Sequence, residues 1–289
     1  MLERTARPLA GLWNGIASLM DVIYRGLGGP GRYVQDFLNG VWLGHSLHAV
    51  LVDVVVGGAT AALLLDVLRV VFGVEGMETA ATWVTGLVLL SALGAFVSGL
   101  TDFKDTAPGD ERNLAGMHGV INIVGTAFLA VSFFARLGSS HDLGFWMLLV
   151  SYLVLSVGAF IGGHVVFKHG VMINHNDFPR AKRAKEFTAV LPAAELPDGQ
   201  PTKAMLGATA LVLVRRGDVV HALKETCSHA GGPLSQGEVR GDVIICPWHY
   251  SNFRLADGVV RHGPATHRVP AYAARISGDQ VEVQGPIRE

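Results

Sequence analysis

Four long apolar stretches constrain this chain more than any other feature of its sequence. Residues 41–170 are almost continuously apolar, and four stretches within them are long enough to cross a hydrocarbon core, which needs roughly 20 apolar residues in a helix. These stretches are about 45–72, 79–100, 114–135 and 143–167. The first contains Asp53 and Asp66, whereas the second has no charged residue. We therefore predict a membrane α-helical bundle of four transmembrane helices over residues 41–173, in contact with the lipid bilayer.

The composition agrees with a membrane protein and excludes two other classes. Half of the 289 residues are hydrophobic and only 16% are charged, against about 25% in typical soluble domains. The net charge of −1 supplies no basic field, so we expect no nucleic-acid partner. Two cysteines, Cys227 and Cys246, are too few for the disulfide scaffold of a small secreted domain. We identify no low-complexity tract and no internal repeat.

Residues 1–40 form a separate N-terminal segment. Asn14 and Asp21 interrupt any apolar core that a signal peptide would need. The apolar residues keep helical spacing instead, which predicts an amphipathic helix lying on the membrane surface. We expect Gly26–Gly31, with the sequence GLGGPG, to break this helix before the first membrane span.

The distribution of lysine and arginine predicts the orientation of the four helices. Eleven basic residues flank one side of the predicted bundle, and only Arg69 and Arg136 flank the other. The eleven are Arg4, Arg7, Arg25, Arg32, Lys104, Arg112, Lys168, Arg180, Lys182, Arg183 and Lys185. Basic residues in short flanking segments favour the cytoplasmic side. Both termini, and the C-terminal domain with them, are therefore expected in the cytoplasm.

A polar linker separates the membrane domain from a second domain. The linker covers residues 174–185, is basic and contains Pro179. Residues 186–289 alternate apolar and polar side chains between turn signals, which predicts an all-β domain. The strands predicted most clearly are Leu211–Val214, Val219–Leu223, Val243–Ile245 and Val281–Val283.

Two short boxes in the β domain contain metal-ligating residue types. The first is Cys227-Ser-His229 and the second is Cys246-Pro-Trp-His249. A lone cysteine or histidine is usually structural, but two such pairs at short spacing are unexpected by chance. A Cys₂His₂ zinc site is one interpretation, although zinc fingers usually pair Cys with Cys and His with His. The other is a Rieske centre, in which two histidines replace two cysteines on one of two irons.

The sequence around the boxes resembles the Rieske ferredoxin family. The residues concerned are ETCSHAGGPLSQG, CPWHYSNF and the later DGVVRHGPATHRVPAY, within about 186–283. The resemblance implies a β-sandwich with a small cluster-binding subdomain, a [2Fe–2S] cluster and one-electron transfer. It implies Cys227, His229, Cys246 and His249 as the cluster ligands.

The departures from the family pattern bear on the redox potential. Rieske proteins of quinol-oxidising complexes have two further cysteines that bridge the cluster loops, where this chain has Gly232 and Trp248. Those proteins also use a Ser and a Tyr to hydrogen-bond sulfur; Ser251 matches the Ser, but Phe253 replaces the Tyr. Losing one such bond lowers the potential, toward the bottom of the Rieske range of about −150 to +300 mV. Gly232 and Pro233 are expected to shape the loop covering the cluster, although an ordinary tight turn would have the same sequence.

The N-terminal half resembles an uncharacterised bacterial membrane-domain family that is sometimes fused to Rieske domains. The residues that carry this resemblance are NGVWLGHSLHAVLVD, SGLTDF and MHGVINIVG. The resemblance implies the topology and no activity.

Together these features predict a membrane-anchored electron-transfer component rather than a stand-alone catalyst. It would pass single electrons between a membrane redox partner, either a protein or a quinone, and a cytoplasmic acceptor. An oxygenase needs a further mononuclear iron site. The forty residues after the second box, with His262 and His267, are too few for such a domain. A membrane redox sensor, or the electron-transfer component of a multi-subunit oxidoreductase or oxygenase, stays open.

Three histidines indicate a second polar site inside the membrane domain. They are His48 and His118, near the starts of the first and third stretches, and His164, near the end of the fourth. In the predicted topology each lies roughly 6–9 Å below the cytoplasmic surface, at about 1.5 Å rise per residue. Ionisable residues in a membrane are costly and usually mark function. A haem b, a quinone or proton site, and simple helix packing are the three interpretations.

Overall fold

The computed structural model describes residues 5–177 and 184–288, and it groups them into two compact units. One unit comprises Met1–Gly31 and Ser46–His169, and the other comprises Arg32–His45 and Gly170–Glu289. The middle of the predicted linker lies outside the described residues. So do four basic residues of the orientation count, namely Arg4, Arg180, Lys182 and Arg183.

The first unit is built from helices. The α-helices of the described chain are α1 (Ala10–Gly26), α2 (Gly28–Asn39), α3 (Leu47–Phe72), α4 (Met77–Phe103), α5 (Asp110–Leu137) and α6 (His141–His169). The last four correspond to the four predicted stretches, although α3 begins two residues later than predicted, and each is long and apolar enough to cross a membrane. The predicted four-helix architecture is therefore confirmed, with α3 packed along α4 and α5 along α6.

Short glycine-containing turns connect the helices of each hairpin. Gly73 ends α3 in the left-handed conformation, with φ at 66°, which glycine adopts without steric cost. The amide of Gly73 donates to the carbonyl of Arg69, and the amide of Val74 donates to that of Leu68. This pair of bonds satisfies the last carbonyls of the helix and reverses the chain.

The N-terminal segment differs from its prediction in one respect. Helix α1 ends at Gly26, but GLGGPG does not leave the chain broken, because α2 begins at Gly28. The buried face of α1 includes Trp13 and Tyr24, and the Tyr24 hydroxyl hydrogen-bonds Thr101 Oγ1 of α4 at 2.7 Å. The amphipathic pattern of α1 thus provides a face that packs on the bundle.

A buried ion pair connects α3 with α5. Both side chains of Asp66 and Arg136 are fully buried, and the guanidinium donates two bonds to the carboxylate, at 2.9 and 2.5 Å. This pairing explains how Asp66 is tolerated inside an apolar helix, since buried charges need a partner.

The second unit contains the all-β domain. Its strands are β1 (Ala184–Pro192), β2 (Thr202–Leu206), β3 (Thr209–Arg216), β4 (Val219–Lys224), β5 (Glu238–Arg240), β6 (Val243–Ile245), β7 (Asn252–Arg254), β8 (Val260–His262), β9 (Ala271–Ser277) and β10 (Gln280–Arg288). A six-stranded antiparallel sheet has the order β1-β10-β9-β4-β3-β2, and a four-stranded one has the order β5-β6-β7-β8. The four predicted strand segments all lie in strands. The smaller sheet is the predicted subdomain. The second box lies between β6 and β7, and the first box lies in the connection between β4 and β5.

Candidate metal centre

The two boxes form loops with the same backbone hydrogen bonds. In the first, the amide of Cys227 donates to the carbonyl of Gly232, and the amide of Gly231 donates back to Cys227. In the second, the amide of Cys246 donates to Ser251, and the amide of Tyr250 donates back to Cys246. Each loop therefore runs from a cysteine to a residue five positions later and encloses one histidine.

A left-handed residue occupies the same position in each loop. Gly231 has φ at 80° and Tyr250 has φ at 62°. The first position suits glycine, whereas tyrosine at the second is a strained choice that the loop enforces. The two loops are thus structural copies, although the histidine is two residues after the cysteine in one and three in the other.

The loops bring together all four residues that the sequence singled out. The side chains of Cys227 and Cys246 are within hydrogen-bonding reach of each other, and both residues are about 2% exposed. The imidazole rings of His229 and His249 have centroids 4.9 Å apart and lie nearly perpendicular, at 87°. The two sulfurs lie in the core, while both histidines keep part of their surface.

The electrostatics of the two thiols favour a thiolate. The hydrogen bond between the sulfurs raises the pKa of Cys227, with burial adding to this effect. The same bond lowers the pKa of Cys246 to about 7, because one proton shared by two sulfurs stabilises the second as an anion. Thiolate is the form that ligates metal ions.

This arrangement sorts the four side chains into a thiol pair and an imidazole pair. A tetrahedral zinc needs four such ligands around one point. A [2Fe–2S] centre of the Rieske type needs two sulfurs on one iron and two imidazoles on the other. The thiol pair and the imidazole pair match that requirement.

Gly232 leaves the space that the cysteine pair needs. A Cβ atom added at Gly232 would lie 2.8 Å from Cys246 Sγ and 3.1 Å from the nearest ring atom of Trp248. The next residue, Pro233, is in extended backbone and pairs with Thr226 in an isolated bridge. Gly232 and Trp248, where quinol-oxidising proteins have their bridging cysteines, are therefore in contact here.

Ser251 and Phe253, the two residues expected to influence the redox potential, are fully buried near the cysteines. Phe253 packs in the same hydrophobic cluster as Cys227 and Cys246. Ser251 Oγ accepts a 3.0 Å hydrogen bond from the amide of Ala265. That bond uses an acceptor lone pair, so the hydroxyl proton of Ser251 is still available to a sulfur.

A third loop, Gly263–His267, completes the surroundings; it lies in the stretch that resembles the Rieske family, but the sequence assigned it no role. Ser228 Oγ donates to the carbonyl of His267 at 2.5 Å, which ties the third loop to the first box. The imidazole of His229 lies in a small cleft lined also by Met172, Pro264 and Thr266. Burial, with a repulsive contribution from His45, lowers the pKa of His267.

A residue from the N-terminal part of the chain anchors the third loop. Asp36 of α2 bonds His262 Nδ1 at 2.6 Å and accepts from the amide of Gly263 at 2.8 Å. This explains why Arg32–His45 groups with the β domain. No sequence signal identifies the contact, because the partners are 226 residues apart and acidic residues on helix surfaces are common.

Two of the three membrane histidines come together in the structure. The ring centroids of His48 and His118 are 6.1 Å apart, whereas the ring contact of His164 is with His169, at 6.2 Å. His164 is therefore not shown to be part of the same site.

Comparison with known proteins agrees with both halves of the structure. Residues 186–273 match the family model for the Rieske [2Fe-2S] domain. Residues 44–175 match the family model described as predicted membrane protein (DUF2231). The two resemblances found in the sequence are therefore confirmed.

Several relatives match the β domain. Ferredoxin CarAc of Metapseudomonas resinovorans is 34% identical over 80 residues, which are 28% of this chain and 75% of that protein. The anthranilate 1,2-dioxygenase ferredoxin subunit of Burkholderia cepacia is 32% identical over 89 residues, 31% of this chain and 82% of that protein. A solved ferredoxin of carbazole 1,9a-dioxygenase from Nocardioides aromaticivorans IC177 is 28% identical, with a TM-score of 0.34, covering 35% of this chain and 99% of that one.

The matches establish the cofactor together with the family. The match of residues 186–273 is to a domain defined by its [2Fe–2S] cluster, and the paired thiols and imidazoles fit that group. The chain therefore belongs to the Rieske [2Fe–2S] domain family, and the same polypeptide contains a DUF2231 membrane-protein domain.

Proposed function

We propose that this protein is a membrane-anchored one-electron carrier whose cluster is held by Cys227, His229, Cys246 and His249. The observation that supports it most directly is the sorting of donors into a buried thiol pair and a partly exposed imidazole pair. A cluster bound there supplies reversible one-electron chemistry, with its histidine-bound iron toward the surface. The ferredoxins of dioxygenase systems that the β domain resembles support a carrier role.

The protein residues would bind the cluster, orient its ligands and shield it from solvent. Cys227 and Cys246 would hold the inner iron of the [2Fe–2S] cluster, and both cysteines are packed among the buried apolar residues that include Phe253. The two copies of the loop fix the directions of the imidazoles through backbone bonds. Gly263–His267, held by Asp36 and Ser228, covers the flank at His229. This rigid setting keeps the reorganisation that accompanies electron transfer small.

The partners in this proposal are a membrane redox partner, either a protein or a quinone, and an acceptor outside the membrane. The dioxygenase relatives suggest that one of them is a component of an oxidoreductase or oxygenase system. A redox sensor would show the same cluster but no sustained electron flow.

A potentiometric titration of the full-length protein tests the carrier role. We expect the cluster signal to follow a reversible one-electron Nernst curve. The reduced protein, separated from excess reductant, should give one electron per cluster to a one-electron acceptor such as ferricyanide and should be reducible again. Irreversible loss of the signal after a single oxidation would contradict the proposal.

The orientation proposed for the chain has both termini in the cytoplasm. The distribution of basic residues supports it, because eleven of them flank the predicted cytoplasmic side and only Arg69 and Arg136 flank the other. A reporter that is active only in the cytoplasm should therefore be active when fused after Glu289. The same reporter fused between Gly73 and Gly76 should be inactive. Activity of the second fusion and silence of the first would reverse the assignment.

Hydrogen bonds to the sulfur atoms of the cluster and its cysteine ligands should influence the redox potential of the cluster. Ser251→Ala removes a hydroxyl whose proton is free to stabilise the reduced cluster, so we expect the potential to fall by tens of millivolts. Phe253→Tyr introduces a hydroxyl at the edge of the same cluster of buried residues and should raise it. Ser235→Ala, whose hydroxyl binds the carboxylate of Glu225, is the matched control and should leave the potential unchanged. Equal potentials for wild type and both site variants would show that the sulfurs accept no bond from these positions.

A further inference from the structure

Helices α3 and α5 present a pair of imidazoles to each other inside the first unit. The ring centroids of His48 and His118 are 6.1 Å apart, and the ring planes lie at 81°. Edge-to-face aromatic rings also occur at this separation, so the distance alone assigns nothing. The hydrogen bonds of the two rings provide the second observation.

Both rings are oriented by the same kind of bond. Nδ1 of His48 lies 2.8 Å from the carbonyl oxygen of Ala95 on α4, and Nδ1 of His118 lies 2.8 Å from that of Gly158 on α6. A carbonyl accepts only, so each Nδ1 holds the proton and donates it. Each Nε2 is then the unprotonated nitrogen, with its lone pair available. Histidines that ligate metals are usually fixed in this way, by an N–H donated to a backbone carbonyl.

A glycine four residues after each accepting carbonyl makes room for the ring. A Cβ atom added at Gly99 would lie 2.7 Å from Nδ1 of His48, and one added at Gly162 would lie 2.7 Å from Cε1 of His118. The two hairpins thus repeat a histidine, a carbonyl and a glycine.

Asn122 contacts His118 without occupying its lone pair. The Asn122 side-chain nitrogen donates to the backbone carbonyl of His118 at 2.7 Å. It lies 3.2 and 3.4 Å from the two ring nitrogens. An atom nearly equidistant from both nitrogens lies over the ring face, since an in-plane position would collide with Cε1. The Asn122 nitrogen is therefore not aligned with the in-plane lone pair of Nε2.

The separation of the rings matches an iron placed between them. A metal about 2.0 Å from each imidazole nitrogen puts two ring centroids roughly 6 Å apart. The iron of a haem brings four porphyrin nitrogens and needs only two axial ligands, which two imidazoles on facing helices can supply.

We infer that His48 and His118 are the axial ligands of a b-type haem within the helical unit. The inference goes beyond the proposed function, because it adds a second redox cofactor whose presence does not depend on the Rieske cluster. A quinone hydrogen-bonded to one imidazole would require neither the pairing of the rings nor their common tautomer.

The test is spectroscopic and uses the full-length protein purified in detergent from cells supplied with a haem precursor. We expect a Soret band, the reduced α-band of a six-coordinate low-spin b-type haem, and about one haem per chain by the pyridine haemochrome assay. His48→Ala and His118→Ala should each lose these bands, while the Rieske EPR signal stays as an internal measure of folding. His141→Ala, at the start of α6, is the control and should keep the haem.

Two neighbouring glycines provide a second pair of variants, one as the test and one as its control. Gly162→Ala pushes a methyl group into the His118 ring, so haem occupancy should fall at least tenfold. Gly163→Ala adds a methyl group whose nearest neighbours are ring carbons of Phe167, at 3.8 Å, and should bind haem normally. Full haem content in His118→Ala would overturn the inference. So would a wild-type protein with an intact Rieske signal that shows no haem and no saturable binding of added haemin, with or without bound quinone.

Discussion

Replacing Cys227 with serine should abolish the [2Fe–2S] cluster. The thiolate is one of four proposed ligands, and a serine hydroxyl is a much weaker ligand of iron than a cysteine thiolate. The chain contains no cysteine besides Cys227 and Cys246, so no other sulfur can substitute. Non-haem iron and acid-labile sulfide should both fall to below a tenth of the wild-type content, and the EPR signal of the reduced cluster should disappear.

A pair of histidine variants separates ligation from general destabilisation. His249→Ala should lose the cluster in the same way, because it removes a proposed ligand of the outer iron. His221→Ala is the control, since His221 lies in β4 and pairs with Val214 in the larger sheet. It should retain the cluster and the EPR line shape. A cluster of unchanged spectrum in His249→Ala would remove His249 from the ligand set.

Breaking the ion pair between α3 and α5 should produce the largest loss of stability. Asp66→Asn leaves the fully buried guanidinium of Arg136 without its counter-charge. An uncompensated buried charge costs about 3–5 kcal/mol, which for the helical unit is a large decrease in the thermal midpoint in detergent. The double variant Asp66→Leu with Arg136→Met removes both charges and should recover most of the loss.

An exposed ion pair in the same unit is the control. Arg69 and Asp142 lie 2.8 Å apart, but the side chain of Asp142 is 85% exposed. Surface pairs contribute little, so Asp142→Asn should leave the thermal midpoint nearly unchanged. If Asp66→Asn were as stable as Asp142→Asn, the buried pair would not be the structural element that we describe.

The sequence predicts the parts of this protein that depend on local pattern. Helices α3–α6 follow from runs of apolar residues, and the strand Val243–Ile245 has the bounds that alternation and turn residues indicate. The Cys-His boxes are visible because all the residues of each loop are close together in the chain. The spacing of these residues alone is compatible with a zinc site or a Rieske centre. The resemblance to the Rieske family then favours the Rieske centre.

The parts that were missed depend on contacts between distant residues. Asp36 binds His262 and Gly263 from a helix that looks like an ordinary amphipathic segment. The ion pair of Arg136 was missed as well, because the sequence does not show that Asp66, one of many acidic residues, faces it. The left-handed Tyr250 also has no sequence signal, since tyrosine is not a residue type that favours positive φ.

Quantifying acid-labile sulfide and non-haem iron in the purified full-length protein, alongside its EPR spectrum after reduction, shows directly whether the protein contains a Rieske cluster. We expect about two sulfides and two non-haem irons per chain, with the signal of a cluster ligated by two histidines. A protein that contains one zinc ion per chain and no sulfide would contradict this expectation.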